Sequence, residues 1–244
     1  MSFSSLLVRF QSAGMIPPPY THFYTLTAKP VENRLSIDFN ITYTDREELD
    51  EEDITGEGFT LNDDFAWSGE LGEAWLPILR TLLDQTELDP FNEADLGEQD
   101  DYVEVTIDPS GGKPSPGTPA DPEPFLYAIQ ELIQAIYEAG GKEKPFELIY
   151  LDYNRTGDLE LRLNASFAER SVRLMRYQNR QEKNRQLPWE TLQQVMSTVY
   201  AYDYNPEDSL TRPPKRDGQY LNLGGDEWYD VTPLTAVQQA LEQL

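Results

Sequence analysis

The sequence predicts an α+β fold built from antiparallel sheets with helices on one face. Strand-like alternation of apolar and polar residues recurs along the 244-residue chain, as in "RLSIDFNITY", and is followed by apolar positions at helical spacing. Hydrophobic residues make up 39% of the sequence, enough to fill a core in a chain of this length. Landmarks that recur in the same order further predict an internal duplication.

The predicted repeat is a strand-strand-helix-strand-helix unit that follows a first N-terminal strand in "SLLVRF". "RLSIDFNITYTDR" aligns without gaps with "DLELRLNASFAER", which places Leu35 over Leu159. A tryptophan opens the next helix in each part, at Trp75 and Trp189. The strands "DYVEVTID" and "QYLNLGGD" then match, and a final helix closes each unit.

The two final helices carry recognisable end signals. "DPEPFLYAIQELIQAIYEAGG" begins with Asp121 as a predicted N-cap, has apolar residues at helical spacing and ends at Gly140. Its counterpart, "VTPLTAVQQALEQL", has Thr232 as its predicted cap. We therefore assign residues 1–141 to the first repeat and 142–244 to the second. The Pro/Gly-rich stretch 109–121 is predicted to be a loop without regular structure.

Charge is distributed unequally between the two repeats. The net charge is −25; residues 1–141 hold 6 basic and 28 acidic side chains, and residues 142–244 hold 13 and 16. Such a surface repels nucleic acid and anionic membranes and attracts basic proteins. The sequence therefore predicts a basic protein partner, no nucleic-acid partner and no membrane partner.

The absence of cysteine and the single histidine narrow the possible chemistry. Disulfides, a thiolate nucleophile and the usual structural zinc sites are excluded. His22 lies in the aromatic stretch "YTHFYTL" and is expected to be an ordinary strand residue. No apolar run reaches the roughly 18 residues of a membrane helix, and no basic segment precedes the short N-terminal apolar patch, so no signal peptide is expected. We predict a cytoplasmic protein, although a lack of cysteine is also compatible with export.

The stretch "TDREELDEED" places seven acidic residues in nine positions directly after a predicted strand. It lacks the alternating ligands and central glycine of an EF-hand loop, so neither a metal nor a cofactor is predicted. We predict instead that this region is a partner-binding face with two aromatic anchors. Its predicted residues are Asp45, Glu47, Glu48, Asp50, Glu51, Glu52, Asp53, Glu57, Asp63, Asp64, Phe65 and Trp67.

A basic segment, residues 155–185, occupies the corresponding part of the second repeat. It contains Arg155, Arg162, Arg170, Arg173, Arg176, Arg180, Lys183 and Arg185. In a pseudo-twofold arrangement this segment could compensate the acidic block; the alternative is that both are solvated surface loops. Binding of phosphate or RNA by this segment is disfavoured by the net charge of the chain.

The strand pair "NRLSIDFNITYTD" and "GDLELRLNASFAE" resembles the two-strand block of small acidic immunity proteins from bacterial polymorphic-toxin systems. The resemblance implies a non-catalytic protein that binds and blocks a toxin domain, and it transfers no residue roles. We therefore predict an inhibitor of a basic toxin or enzyme. One alternative is a structural or adaptor protein that forms homo-oligomers through its charge asymmetry. The other is a carboxylate-dependent hydrolase using Asp226 or Glu227 of "GGDEWYD".

Overall fold

A computed structural model describes residues 3–109, 114–155, 157–213 and 215–244. The chain divides into two compact units, Met1–Gly140 and Gly141–Leu244. Each unit contains one antiparallel sheet with accompanying helices, which confirms the α+β class.

The first unit has seven strands and three α-helices among its described residues. In chain order they are β1 (Phe3–Gln11), β2 (His22–Val31), β3 (Arg34–Tyr43), α1 (Glu51–Gly56), β4 (Phe65–Leu71), α2 (Trp75–Gln85), β5 (Leu88–Pro90), β6 (Tyr102–Pro109), β7 (Ser115–Pro119) and α3 (Pro122–Ala139). The strand order in the sheet is β4-β3-β2-β1-β6-β7-β5.

Alternation along the central strands builds the core of the first unit. Leu26 in β2 lies opposite Val8 in β1 and opposite Phe39 in β3, and all three side chains are buried. Facing residues of adjacent antiparallel strands share one face of a sheet. The apolar positions of the three strands therefore form one continuous covered surface.

The second unit, over the residues that the structure describes, has six strands and two α-helices. They are β8 (Phe146–Tyr153), β9 (Leu159–Ser166), β10 (Ser171–Gln178), β11 (Gln181–Leu187), α4 (Trp189–Val199), β12 (Gly218–Asn222), β13 (Trp228–Asp230) and α5 (Thr235–Glu242). The strand order is β11-β10-β9-β8-β12-β13. Leu163 pairs with Leu148 and Leu174 to form the centre of this core.

Both units share an order of four strands, a helix, two strands and a helix, and the first unit adds α1 between β3 and β4 and β5 after α2. The predicted strand-strand-helix-strand-helix unit is therefore too short. By position in the sheet, β3 corresponds to β10, whereas the alignment of Leu35 with Leu159 matched it to β9. Strands of the same period resemble one another, so an alignment can slip by a whole strand without losing its apolar matches.

The predicted loop 109–121 is wrong in part. Ser115–Pro119 forms β7, which pairs with β6 and β5, while residues 110–113 lie outside the described residues. A Cβ at Gly117 would lie 2.7 Å from the carbonyl oxygen of Asp89. The absence of a side chain at Gly117 permits β5 to approach β7 closely. Strand β7 was not predicted because prolines are uncommon within strands.

Candidate protein-binding surface

Three connections of the first unit meet at one end of its sheet. They are the β1–β2 loop (residues 12–21), the β3–β4 connection (44–64) and the segment before β6 (96–101). Gln11 pairs with both Phe23 and Tyr102, and His22 pairs with Tyr43, so these strand ends lie side by side. We call this region the loop end.

Hydrogen bonds join the first and third of these connections. The backbone N–H of Ala13 donates to Asp101 Oδ1 at 2.8 Å, and the backbone N–H of Met15 donates to the Glu98 carbonyl at 3.2 Å. The loop end is therefore a connected surface.

Arg46 connects the β3–β4 connection to the β1–β2 loop. Its Nε and Nη2 donate to the Pro19 carbonyl oxygen at 3.2 and 3.0 Å. Its Nη1 donates to the Thr60 carbonyl at 3.0 Å and to Asp63 Oδ2 at 2.7 Å. Only 9% of this residue is exposed. The single basic side chain of the acidic stretch is thus an internal structural element of the loop end.

Two aromatic rings enclose the same guanidinium. The Arg46 carbon Cζ lies 4.2 Å from the ring centre of Tyr43 and 4.7 Å from that of Phe59. Both distances are within the range of a cation–π interaction. Aromatic faces and a carboxylate together replace the water that a buried guanidinium loses.

Asp63 is held in its charged form by its surroundings. Burial by itself raises the pKa of Asp63. Hydrogen bonds from Arg46 and from the Thr60 hydroxyl and backbone N–H, together with the Arg46 charge, outweigh burial and lower the pKa below its ordinary value. Asp63 is therefore an intramolecular partner of Arg46, in contrast to its predicted place in a partner-binding face.

Nine of the ten predicted acidic residues are exposed at the loop end, and seven of these lie within residues 45–53. These seven are Asp45, Glu47, Glu48, Asp50, Glu51, Glu52 and Asp53, hereafter the seven exposed acids. Three of them occupy the first turn of α1, where the helix dipole favours negative charge. Ile54 in the same helix is buried and anchors it. A strand can thus run into a block of like charge because a short anchored helix presents that charge to solvent.

The two other predicted acids also have intramolecular partners. Glu57 accepts a hydrogen bond from the hydroxyl of Tyr20. Asp64 Oδ1 accepts one from the backbone N–H of Tyr43 at 2.8 Å. Both residues remain exposed, so they add charge to the surface while fixing its loops.

The predicted anchors Phe65 and Trp67 pack inside the first unit. The ring of Phe65 lies edge-on to Tyr137 of α3, with centroids 5.3 Å apart. A Cβ at Gly140 would lie 2.7 Å from Phe65 Cζ and 3.0 Å from Trp67 Cδ1. The structure therefore assigns both aromatic residues to the contact between β4 and the end of α3.

Other apolar side chains are exposed at the loop end. Met15 is 59% exposed, Tyr20 41% and Leu61 60%, and Ile16 lies beside Met15 in the same loop. The sequence does not reveal them because single apolar residues in loops have no periodicity. They add exposed apolar surface to the loop end.

The charge of the loop end is almost entirely of one sign. Its three connections contain thirteen acidic residues and one basic residue, and that one is the buried Arg46. Its positive charge is already matched by Asp63 at 2.7 Å. The exposed surface therefore presents an uninterrupted negative field.

The basic segment of the second unit lies mainly on strands. Arg173 and Arg176 belong to β10, and Lys183 and Arg185 to β11, so the interpretation as a solvated loop is wrong here. The turn between them contains Asn179 and Arg180 at positive φ. Thr156 lies outside the described residues. Whether this segment compensates the acidic block stays a prediction.

Several of its arginines have contacts within the second unit. Arg162 forms an ion pair with Glu160 at 2.6 Å, Arg170 stacks over Trp189, and Arg176 donates to the Glu242 carbonyl at 3.3 Å. These contacts support the fold of the unit. The fully exposed part of the segment is β11, where Gln181–Gln186 are all exposed.

The stretch "GGDEWYD" comprises most of the connection between β12 and β13 and the whole of strand β13. The buried Asn222 side chain donates to the carbonyl oxygens of Gly225 and Glu227 and accepts from the Gly224 N–H. Asp226 and Glu227 are exposed on this turn. Within the described ranges, no group of three or more His, Cys, Asp or Glu side chains is arranged to hold a metal ion.

Comparison with known proteins identifies no relative. No protein-family model, curated protein or solved structure matches the chain. Among the residues that the structure describes, no helix combines the length and apolar character needed to cross a bilayer.

Proposed function

We propose that this protein is a non-catalytic acidic binding protein whose loop end binds a basic protein, and that it acts as an immunity-type inhibitor. One observation carries the proposal: three connected loops present thirteen acidic residues, and their only basic residue is buried against one of those acids. Exposed apolar side chains lie among these acids. The negative electrostatic field and the exposed apolar area are thus on the same surface, the loop end.

Electrostatics explains how such a surface would act. A single-sign field accelerates encounter with an oppositely charged partner, and salt weakens this effect. Exposed ion pairs contribute little to final affinity. The affinity is therefore expected to come from Met15, Ile16, Tyr20 and Leu61, which the partner would bury.

An inhibitory role follows from the partner class that this surface fits. Enzymes that act on anionic substrates carry basic active sites, and an acidic surface can cover such a site. The resemblance of the strand pair to immunity proteins supports the same interpretation. The cytoplasmic location belongs to this proposal, and the absence of cysteine supports it.

The test compares three forms of the full chain. In the seven-acid variant, the seven exposed acids become amides (Asp→Asn, Glu→Gln). In the matched control, seven exposed acids of the second unit are changed in the same way, which gives the same net charge and the same numbers of each substitution. These control positions are Glu169, Glu190, Asp203, Glu207, Asp208, Asp226 and Glu227.

Each form is used to capture proteins from a native lysate at low salt, and the captured protein is then purified. The proposal requires a basic protein that forms a stoichiometric complex with wild type and control but not with the seven-acid variant. It also requires that wild type inhibit the activity of that protein. Equal capture by all three forms, or a complex without inhibition of an enzymatic partner, would reject the inhibitor role.

A second candidate function is self-association. Strand β11, at the edge of the second sheet, carries Lys183 and Arg185, and its residues 181–186 are exposed. This basic edge could bind the acidic loop end of another copy. Purified protein would then form oligomers at low salt without any partner, and sedimentation at two salt concentrations separates the two candidates.

We also propose that the two units arose by internal duplication. Their shared order of strands and helices supports this. The β10–β11 connection consists of two residues, whereas the β3–β4 connection has 21. On this view the acidic loop is an elaboration of one copy. An independently determined structure in which the two sheets have different strand orders would reject it.

A further inference from the structure

A groove of about 290 Å³ lies beside the Arg46 site in the first unit. One wall consists of strand residues and Asp101, and the other of α3. Among the residues that line it are Phe10, His22, Tyr24, Tyr43, Asp101 and Gln130. Tyr43 also stacks on Arg46, so one ring borders both features.

Stacked aromatic rings form the floor of the groove. Phe10 and Tyr24 lie with ring centroids 4.9 Å apart and an interplanar angle of 12°. His22 lies 5.4 Å from Phe10 and 5.6 Å from Tyr43. The face of such a ring that is not covered by another ring attracts a planar cation.

Asp101 supplies a charged acceptor to the lining of the groove. Tyr24 lines the same groove and is only 5% exposed. His22 Nδ1 lies 2.8 Å from the Tyr20 carbonyl oxygen, an acceptor, so Nδ1 carries a proton and donates to it. Asp101 uses one carboxylate oxygen for the Ala13 N–H, which leaves the other for a ligand.

The negative charge of Asp101 acts directly on this pocket. Burial raises the pKa of the Tyr24 hydroxyl, and the nearby Asp101 carboxylate raises it further. The hydroxyl therefore stays neutral and able to accept or donate a hydrogen bond. An anionic ligand would lie against the Asp101 carboxylate, so charge complementarity favours a cation.

Arg46 shows how this part of the molecule holds a guanidinium. That group lies between the rings of Tyr43 and Phe59 and is paired with Asp63. The neighbouring groove offers the same combination of aromatic rings and a carboxylate, with Asp101 in place of Asp63. Arginine suits it better than lysine because a planar guanidinium stacks on rings and presents five donors.

We propose that the groove binds an arginine side chain of the protein partner, held by the rings of Phe10, His22 and Tyr43 and by Asp101. This inference rests on the proposed function, in which the partner is a basic protein. It adds a specific pocket to a surface otherwise defined by charge and exposed apolar residues.

His22 allows a direct test because it is the only histidine in the chain. Its ring protons therefore give unique NMR signals from inside the groove. The intact protein is titrated with N-acetyl-arginine amide, and in parallel with N-acetyl-citrulline amide, which has nearly the same shape but no charge. Arginine is expected to shift the His22 signals saturably, and citrulline is not.

Three variants separate the groove from the general acidic field. Asp101→Asn retains an acceptor for the Ala13 N–H and should weaken arginine binding about tenfold, equivalent to about 1.4 kcal/mol. Gln130→Trp places a large ring at the exposed side of the groove and should abolish the shift. The seven-acid variant should retain its affinity for arginine within about twofold. At about 0.15 M salt the screening length is about 8 Å, and exposed charges farther apart than this interact only weakly.

Equal shifts with arginine and citrulline would overturn the inference, as would an unchanged affinity in Asp101→Asn. Loss of the shift in the seven-acid variant alone would also overturn it, by placing the probe on the loops. If His22 does not respond while the protein still captures its basic partner in a salt-sensitive manner, the groove inference fails and the proposed function stands. If the His22 signals respond specifically to arginine but no basic partner is captured, the groove binds arginine and the proposed function fails.

Discussion

Arg46 and Asp63 form a short ion pair at the base of the loop end, with Nη1 2.7 Å from Oδ2. Both side chains are largely buried, and they lie in a connection otherwise crowded with acids. Through this pair and the hydrogen bonds of Arg46 to Pro19 and Thr60, the acidic β3–β4 connection has a defined conformation despite the repulsion between its acids. The exposed acids depend on it for their placement.

Replacement of this arginine should destabilise the first unit. Arg46→Met removes the donors to Pro19, Thr60 and Asp63 and leaves a largely buried carboxylate without its cation, which should cost about 3 kcal/mol. Urea unfolding measures the change. Arg34→Met is the control, because Arg34 pairs with Glu70 at 3.6 Å while about half exposed, and it should cost less than about 1 kcal/mol. Equal losses would mean that Arg46 has no special structural role.

The same pair predicts a specific dependence of stability on pH. The folded pKa of Asp63 is lower than its unfolded value, so its contribution is fully present above about pH 4. It is lost as the pH falls through the lower, folded pKa. The free energy of unfolding of wild type should therefore exceed that of Asp63→Asn near neutral pH, and the difference should shrink in acid. A difference independent of pH would contradict the ionic role of Asp63.

The sequence was informative where helices are long and amphipathic. Helix α3 begins after Asp121 and ends near Gly140 as predicted, although the Asp121 side chain makes no capping hydrogen bond. Helix α5 begins later than predicted, with Leu234 and not Thr232 at its N-cap. The strands β10 and β11 were missed because "RSVRLMRYQNRQEKNR" is highly charged. Gln181–Gln186 of β11 have both faces exposed, so no alternation marks that strand. Its existence depends on pairing with β10, which only the folded sheet shows.

The sequence identified the region of the candidate binding surface but not the contacts of its individual residues. The density of acids identified the β3–β4 connection, but no local pattern shows that Arg46 reaches back to Pro19, 27 positions earlier. The exposure of Phe65 and Trp67 could not be judged either, since it depends on where α3 ends. Burial of this kind is set by contacts distant in sequence.

The packing of Phe65 and Trp67 against α3 can be tested at Gly140. Gly140→Ala suits helical backbone, yet its Cβ would press on Phe65 and Trp67, and we expect a loss of about 1–2 kcal/mol. Gly56→Ala is the control: it lies at the end of α1, and its Cβ would meet no atom within 4 Å. That change should be neutral or stabilising. If both variants behave alike in urea unfolding, β4 does not pack on the end of α3.

Exposed apolar residues of the loop end should contribute to partner affinity. Met15→Ala and Leu61→Ala should each raise the dissociation rate of the captured partner about tenfold, as expected for residues near the centre of an interface. Val31→Ala is the control, because Val31 is comparably exposed, at 42%, at the opposite end of β2. Surface plasmon resonance measures the rates. Unchanged dissociation in both loop-end variants would exclude these residues as anchors.

The most direct test of the account is the salt dependence of association with the captured partner. Stopped-flow mixing gives the association rate from about 0.01 to 0.15 M salt, over which the screening length falls from about 30 to about 8 Å. We expect the rates of wild type and the matched control to fall at least about tenfold, and that of the seven-acid variant to be low and nearly constant. If wild-type association does not respond to salt, or if the two variants lose rate equally, the loop end is not the surface that binds the partner.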